Sequence, residues 1–588
     1  MSKPKPRPRF NWKALRIVVQ VLAFLVVTIY FLGLVYPLKT PWRPDLLFQL
    51  DPLQHLYMLL SGNGLVSIAW AITALVLAFL VSRIFCGWLC PLGALLDLVS
   101  GIRGRIKLWN QSRLGPNGTA KAGAAFLGNR PRQKPLLPKN FSIYLLLALL
   151  VTAIFGNPVI WFFDPIVFTV KFLTIALKPV LDGPVGAAFL SLDNSFYQED
   201  WWYPVQHGYN TYFQTDHPTV FADTALFLTF AIVIIGLEFF QRRFWCRYIC
   251  PLGAILRLTF KLHPLRRRIT PQCTHCLKCE AACHFGGTQE HDCIYCMECI
   301  NSCDDKAVTF LPTKDTLEKK PKEAKPTPHD ELTPKQSYRC KIDGQVERTR
   351  ISRRLMLQYT AAGLVATPAL GLFDKRIETP ADFIRPPGVG DDEQRFTELC
   401  IKCGQCLKVC LTNGLQPALT EAGLRSTWTP RFNFRQGACE FECNLCGEVC
   451  PTGAIPRLTM EEKQKFQLGI AWFDKMRCIP YIAGHACIVC EEHCPTADKA
   501  IKLRPRMITG ADGVRREIGR PYVEEKLCIG CGICEYVCPV PGEAAIRVYR
   551  RTPGPAFSLK GSEPEPIDDS GYGDYGSAGG GYGDYGGG

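Results

Sequence analysis

The chain has 588 residues, 29 cysteines and a formal net charge of +15. It is long, strongly apolar at its start, and its cysteines are tightly grouped, which excludes a small secreted disulfide scaffold. The basic excess falls in short loops beside apolar segments and no RRM, KH or helix-turn-helix signature accompanies it, so nucleic acid is not an expected partner.

Residues 1–262 read as an α-helical membrane domain. Residues 17–36 carry no charge over a length that spans about 30 Å of hydrocarbon, and 65–82, 141–156 and 224–240 are further expected spans. No small-residue cleavage site follows the first apolar run, which predicts an anchor instead of a removed signal peptide. The N-terminal segment and residues 101–140 contain Lys and Arg but no acid, and 241–268 is again basic. These three stretches are expected on the cytoplasmic side, with 37–64 and 157–221 outside. Residues 159–178 are apolar but include Asp164, Pro165 and Lys171, and a full crossing there would break the charge rule. They are expected to be interfacial or re-entrant. Asp164, Glu238 and His55 are only weak signals for a quinone site.

Two spans end in the same motif, Cys86-Gly-Trp-Leu-Cys90-Pro-Leu-Gly and Cys246-Arg-Tyr-Ile-Cys250-Pro-Leu-Gly. A C-x3-C pair on a helix puts both sulfurs on one face. The four thiols are therefore either a packing motif or one additional metal or redox site, a seventh centre.

Beyond the spans, cysteines come in fours. Residues 263–310 hold Cys273, Cys276, Cys279, Cys283 and Cys293, Cys296, Cys299, Cys303. Residues 375–552 hold Cys400, Cys403, Cys406, Cys410; Cys439, Cys443, Cys446, Cys450; Cys478, Cys487, Cys490, Cys494; and Cys528, Cys531, Cys534, Cys538. Gaps of two, two and three residues, with Cys-Pro closing three of the last four runs, have the form of the bacterial ferredoxin C-x2-C-x2-C-x3-C-P. Zinc sites use two well-separated C-x2-C pairs instead. Six 4Fe–4S clusters are expected, on α+β ferredoxin domains, with crossed ligation in which the fourth Cys of a run serves the neighbouring cluster. Spacing leaves two ways to pair the last four runs, neighbours with neighbours or nested; the irregular inner runs favour nesting. Covalent haem, flavin and NAD are not expected, because C-x-x-C-H and a dinucleotide G-x-G-x-x-G in context are missing.

Residues 311–350, rich in Lys, Glu and Pro, read as a disordered linker containing a lone Cys340, and 553–588 as a flexible tail whose end is Gly, Tyr and Asp.

Spans ending in C-x3-C-P followed by two ferredoxin runs resemble the NapH-type membrane ferredoxins of quinol dehydrogenases, a design shared with NosR and cytochrome oxidase accessory proteins. His284 and Asp304 stand where Pro closes the family's runs. Ser352-Arg353-Arg354-Leu355-Met356-Leu357-Gln358 resembles a twin-arginine export signal, within a segment 351–374 that is also a candidate fifth span. With the sixteen cysteines that follow, it is similar to the NapG/MauM-type exported ferredoxins. The resemblance implies a fusion of the two types in the cytoplasmic membrane, the first ferredoxin domain inside and the second in the periplasm. It implies electron transfer from the quinone pool to a periplasmic cytochrome or reductase. The alternatives are a redox maturation factor for a metalloenzyme, and an electron-transfer subunit of a larger respiratory complex without its own quinone site.

Overall fold

The computed structural model describes residues 10–34, 43–63, 67–112, 136–138, 140–196, 201–206, 220–221, 224–259, 265–270, 273, 279, 282–283, 293–303, 307–312, 352–375, 379–390, 392–509 and 515–550. The expected linker, Cys340, Cys276 and the tail lie outside these residues, apart from the linker's first two positions.

All four expected spans are helical. Helix α1 is Trp12–Leu32, α2 Pro52–Leu60, α3 Ile68–Val81, α4 Pro91–Ser112, α5 Phe141–Ile154, α6 Pro165–Phe172, α7 Thr224–Phe240 and α8 Arg353–Lys375. Among the described residues, α1 alone is long and apolar enough to cross a membrane; α3, α5 and α7 are shorter apolar helices. Helix α3 stops where Ser82 turns to φ 45°, and α5 where Gly156 takes φ 68°.

These helices are patterned inside out. On α1, Arg16 and Gln20 are buried while Val18, Val26 and Ile29 are exposed. On α7, Glu238 is buried while Ile232, Val233 and Phe240 are exposed. From the stretch 159–178, helical backbone with two π-turns continues without a break to Phe196. The stretch opens with a 3-10 turn over Pro158–Phe162, then α6, capped by Asp164 accepting from Val167 N at 2.8 Å, and it is largely buried.

The cysteine-rich segments form small units closed by two-stranded antiparallel sheets. Leu265–Ile269 pairs with Val308–Pro312, Leu415–Pro417 with Pro430–Phe432, Ile470–Phe473 with Ile546–Tyr549, and Ile501–Thr509 with Arg515–Val523. The unit 265–312 docks on one end of the helical domain: Arg16 pairs with Glu298 at 3.0 Å, and Trp88 Nε1 donates to Tyr295 O at 2.8 Å. The unit 379–550 docks through other helix ends and loops. Gln49 Nε2 donates to Pro451 O at 3.1 Å, and Asn413 Nδ2 and Gln416 Nε2 both donate to Val220 O at 3.0 Å.

Helix α8 lies along α5 in the same direction. Ser352 N donates to Tyr144 Oη at 3.0 Å, Tyr359 stacks on Tyr144, and Gly363 sits where a Cβ would come within 2.8 Å of Ala148 O. Small residues allow this close approach of two helices.

Candidate redox centres

A loop that must bring three thiols together needs tight reversals. In three runs the structure supplies two left-handed residues at equivalent places. They are Tyr295 and Met297 after Cys293, Lys402 and Gly404 after Cys400, and Gly530 and Gly532 after Cys528. Alternating right- and left-handed backbone turns successive N–H groups inward into a concavity suited to an anionic guest. At Gly532 a side chain is doubly excluded, since φ is 75° and a Cβ would lie 2.0 Å from Phe434.

The structure brings the last four runs together as neighbours, correcting the nested pairing. Cys400, Cys403 and Cys406 line one pocket with Cys450. Cys439, Cys443 and Cys446 are grouped with Cys410, whose charge acts on all three. Cys528, Cys531 and Cys534 line a pocket with Cys494, and Cys478, Cys487 and Cys490 line one with Cys538. The short hairpin between Cys410 and Cys439 folds the first two runs onto each other, and the pairing of Ile470–Phe473 with Ile546–Tyr549 closes the last two into one unit. The long gap after Cys478 is taken up by a helical turn, Ile479–Ile482, and a left-handed Gly484. In the unit 265–312, Cys283 is grouped with Cys293, Cys296 and Cys299, and Cys303 lies with Cys273 and Cys279.

Burial pushes the thiols up, Cys400 to about 11 and Cys293, Cys439 and Cys531 to about 12. Without a metal these thiols stay protonated, and bound iron is what ionises them. Among the described residues no three such side chains converge closely enough to hold a single ion. Three thiols from one short loop with a fourth from the neighbouring run fit a cubane better than one zinc ion.

The fourth cysteine of a run is also tuned. Leu415 N donates to Cys410 Sγ at 3.4 Å and Ile455 N to Cys450 Sγ at 3.3 Å. Thr412, Thr452 and Thr496 place hydroxyls 3.8, 3.9 and 3.3 Å from the sulfurs of Cys410, Cys450 and Cys494. Hydrogen bonds to sulfur set cluster potentials.

The C-x3-C pairs form a fourfold set. Cys86, Cys90, Cys246 and Cys250 are all buried, and the charges of Cys86, Cys90 and Cys246 act on others of the four. The two pairs are built alike: Gly93 N donates to Cys90 Sγ at 3.4 Å and Gly253 N to Cys250 Sγ at 3.2 Å. Sequence reasoning missed the cations of this site. Arg83 and Arg243 each stand three residues before the first cysteine of their pair, and both offset the thiols' buried charge. Arg243 is fully buried, ion-paired to Asp97 at 2.6 Å and donating to Cys86 O at 2.6 Å. The matching offset in the two repeats was the available signal. Gly87, between Cys86 and Cys90, lies directly under Ile294, which places this set beside the cysteines of the unit 265–312.

Two cation–aromatic contacts stand out only in the structure. Lys171 lies 4.2 Å over Trp428, and Lys402 lies 4.4 Å over Phe162. Burial and then Lys402 push Lys171 down to about 7, while the charges of Cys403 and Cys400 oppose that shift. From this contact the thiol sets follow one another outward. The set containing Cys400 touches the helical domain, that of Cys439 meets that of Cys531 through a 2.8 Å bond from Cys439 N to Cys531 O, and Cys490 neighbours Cys534.

Comparison with known proteins agrees with this chemistry. A 4Fe-4S binding domain family matches residues 63–108 and 224–270, which include the two C-x3-C pairs, and a second matches 521–541. The chain is 37% identical over 192 residues to the ferredoxin-type protein NapG of Escherichia coli, covering 32% of this chain and 80% of that protein. It is 33% identical over 210 residues to the methylamine utilization ferredoxin-type protein MauM of Methylophilus methylotrophus, covering 35% and 88%. The ferredoxin-type protein NapF of Escherichia coli is 32% identical over 171 residues, covering 29% and 88%. No solved structure matches. The chain is thus an iron–sulfur electron-transfer protein, and over this third of its length it belongs to the NapG and MauM family of ferredoxin-type proteins.

Proposed function

We propose that this chain is a NapH-type membrane component fused to a NapG-type ferredoxin, anchored in the cytoplasmic membrane and passing electrons from quinol to a redox partner outside. The observation that carries the reading is the seating of two ferredoxin-type units at opposite ends of one helix. Near the start of α1, Arg16 pairs with Glu298. Near its end, Tyr30 Oη accepts from Gln405 and Phe31 lies under Lys408. The rise from Arg16 to Tyr30 is about 21 Å.

The inside-out helices suit lipid on their outer faces, where apolar side chains cost nothing and polar ones turn inward. Helix α8 starts beside Tyr144 and runs with α5, so it would cross from the basic side outward and deliver residues 375–552 to the far side. The twin-arginine-like Arg353 and Arg354 would remain at its cytoplasmic end.

The twenty-four ferredoxin cysteines would hold six cubanes, and Cys86, Cys90, Cys246 and Cys250 a seventh centre. When bound, these clusters supply one-electron redox sites. The chain's own residues fix their order, exclude water and place cations beside them. Between the set at Cys246 and the set at Cys400 lies most of α7: Phe227 packs on Trp428, and from Phe227 to Phe240 the helix rises about 20 Å. A mobile carrier such as quinol is suited to that gap, and it would feed the outer route directly.

The test is anaerobic mixing of the purified full-length protein with a menaquinol analogue while the brown cluster absorbance is followed. Bleaching is expected. Protein that dithionite bleaches and quinol does not would leave an electron-transfer subunit without a quinone site.

A further inference from the structure

The helical domain holds a buried polar cluster that none of the thiol sets uses. Helix α2 and the segment leading into α6 pass one another, meeting at two points. Tyr57 and Trp161 are edge to face with ring centroids 5.1 Å apart, and Asp51 faces Asp164. Each carboxylate caps a helix with one oxygen, Asp51 accepting from Leu53 N at 2.9 Å and Asp164 from Val167 N at 2.8 Å. Their other oxygens, Asp51 Oδ2 and Asp164 Oδ1, are buried without a hydrogen-bond partner among the described residues. Burial raises both groups, Asp51 further because of the charge of Asp164, which itself lies at about 6.

Around this pair, buried polar atoms stand unused. Gln54 and Asn157 are each 1% exposed, and neither end of either carboxamide has a partner among the described residues. The same holds for His55 Nδ1, Tyr57 Oη and Trp161 Nε1, while His55 Nε2 is fixed to Gln49 O at 2.9 Å. Native interiors leave very few such groups unpaired. A set of this density, drawn from two elements, is built to receive something polar.

We propose that this cluster binds the ring of a quinone or quinol, an assignment that rests on the quinol reading above and gives it a location. Such a ring has two opposed oxygens that accept hydrogen bonds in the quinone and donate them in the quinol. Carboxamides and an imidazole can serve either state, and the carboxyl pair can take a hydroxyl proton. The aromatic faces of Tyr57 and Trp161 suit a flat ring. Leu59 on α2, and Ile154 and Phe155 at the end of α5, are left exposed, as an apolar isoprenoid tail would require. The position is also right for the reaction. The charge of Cys400 is felt at Tyr57, as are those of Glu398 and Arg425, so the ring would lie against the set that begins the outer route.

The test uses the full-length protein in lipid nanodiscs, labelled by light with an azido-benzoquinone bearing a short isoprenoid tail and mapped by peptide mass spectrometry. Label is expected within residues 51–60 or 157–165. Asp164→Asn keeps the helix cap and removes one carboxyl of the pair, and Gln54→Leu removes an unpaired carboxamide. Each is expected to cut that labelling at least tenfold with iron content unchanged. Label elsewhere, in protein whose clusters still bleach with quinol, overturns this assignment and leaves the quinol reading standing. Unchanged labelling in both variants overturns it too and marks the cluster as a water site. No label anywhere together with no quinol bleaching removes the quinol reading itself.

Discussion

In the run that begins at Cys400 the loop is wedged against the helical domain. Cys400, Cys403 and Cys406 are buried, and Trp428 is sealed among Phe162, Phe227 and Phe230. In the run that begins at Cys478 a similar loop faces away, with Met476, Ile482 and Ile488 exposed around it. Two thiol sets of related spacing thus occupy opposite situations. The first lies behind Lys171, Lys402 and the aromatic seal. The last sits under a surface that another protein can touch. Electron carriers need this asymmetry, because an electron that could leave from any centre would reach the wrong acceptor.

The largest expected effect breaks the comparison directly. Cys403→Ser and Cys490→Ser should each remove one cubane, about four iron atoms per chain. Their consequences should differ. With Cys403→Ser, quinol should no longer bleach the outer clusters, although dithionite still does. With Cys490→Ser, the surviving clusters should bleach at nearly the normal rate, and reduction of an external protein acceptor should be lost. Stopped-flow absorbance with quinol on one side and a cytochrome on the other separates the two. Equal loss of quinol bleaching in both variants would mean that the sets do not act in series.

The existence of these sets was legible in the spacing of the thiols, because three sulfurs on one short loop allow few alternatives. Their pairing was not. Spacing within a run carries no information about which run lies across from it, and the irregular gaps at Cys439 and Cys478 suggested nesting. The hairpin pairing Leu415–Pro417 with Pro430–Phe432 decided for neighbours. Hydropathy marked where the helices lie: α7 covers the expected 224–240 in full, while α3 and α5 stop one and two residues short of the expected ends, where Ser82 and Gly156 turn left-handed. Arg83 and Arg243 were visible as a repeat. Of the cluster around Asp51 and Asp164, only Asp164 and His55 were marked, as weak signals; the rest was not, because α2 and the segment before α6 are distant in sequence and only packing joins Tyr57 to Trp161.

The second effect concerns the joint between the two halves. Gly532 adopts φ 75° and its missing side chain is the space occupied by Phe434. Gly532→Ala must both strain the backbone and displace that ring, at a cost of about 3 kcal/mol. Phe434 belongs to the Cys400 half and Gly532 to the Cys478 half, so the damage should fall on electron passage between them as well as on stability. Thermal unfolding should shift down, and quinol should bleach the two near sets faster than the two far ones. Pairing the change with Phe434→Leu, which clears space for the new methyl, should recover part of both.

The smallest effect tests how finely the route is graded. Three of the four outer runs place a threonine two residues after their last cysteine, and its hydroxyl reaches that sulfur. The run ending at Cys538 has Val540 there. A donor to a cysteine sulfur stabilises the more negative, reduced cluster, so its presence raises the potential. A net hydrogen bond of about 1 kcal/mol corresponds to roughly 40 mV for one electron. Val540→Thr should therefore raise the potential of the set containing Cys538 by about 20–40 mV, and Thr452→Val should lower that of the Cys400 set by a similar amount. Both shifts can be read by titration with low-temperature spin resonance. The first variant should slow release to an external acceptor, since the exit set would hold its electron more tightly, while the second should slow uptake from quinol. Opposite ends of one route would then answer opposite changes in the same side chain, which a purely structural role for these threonines does not predict.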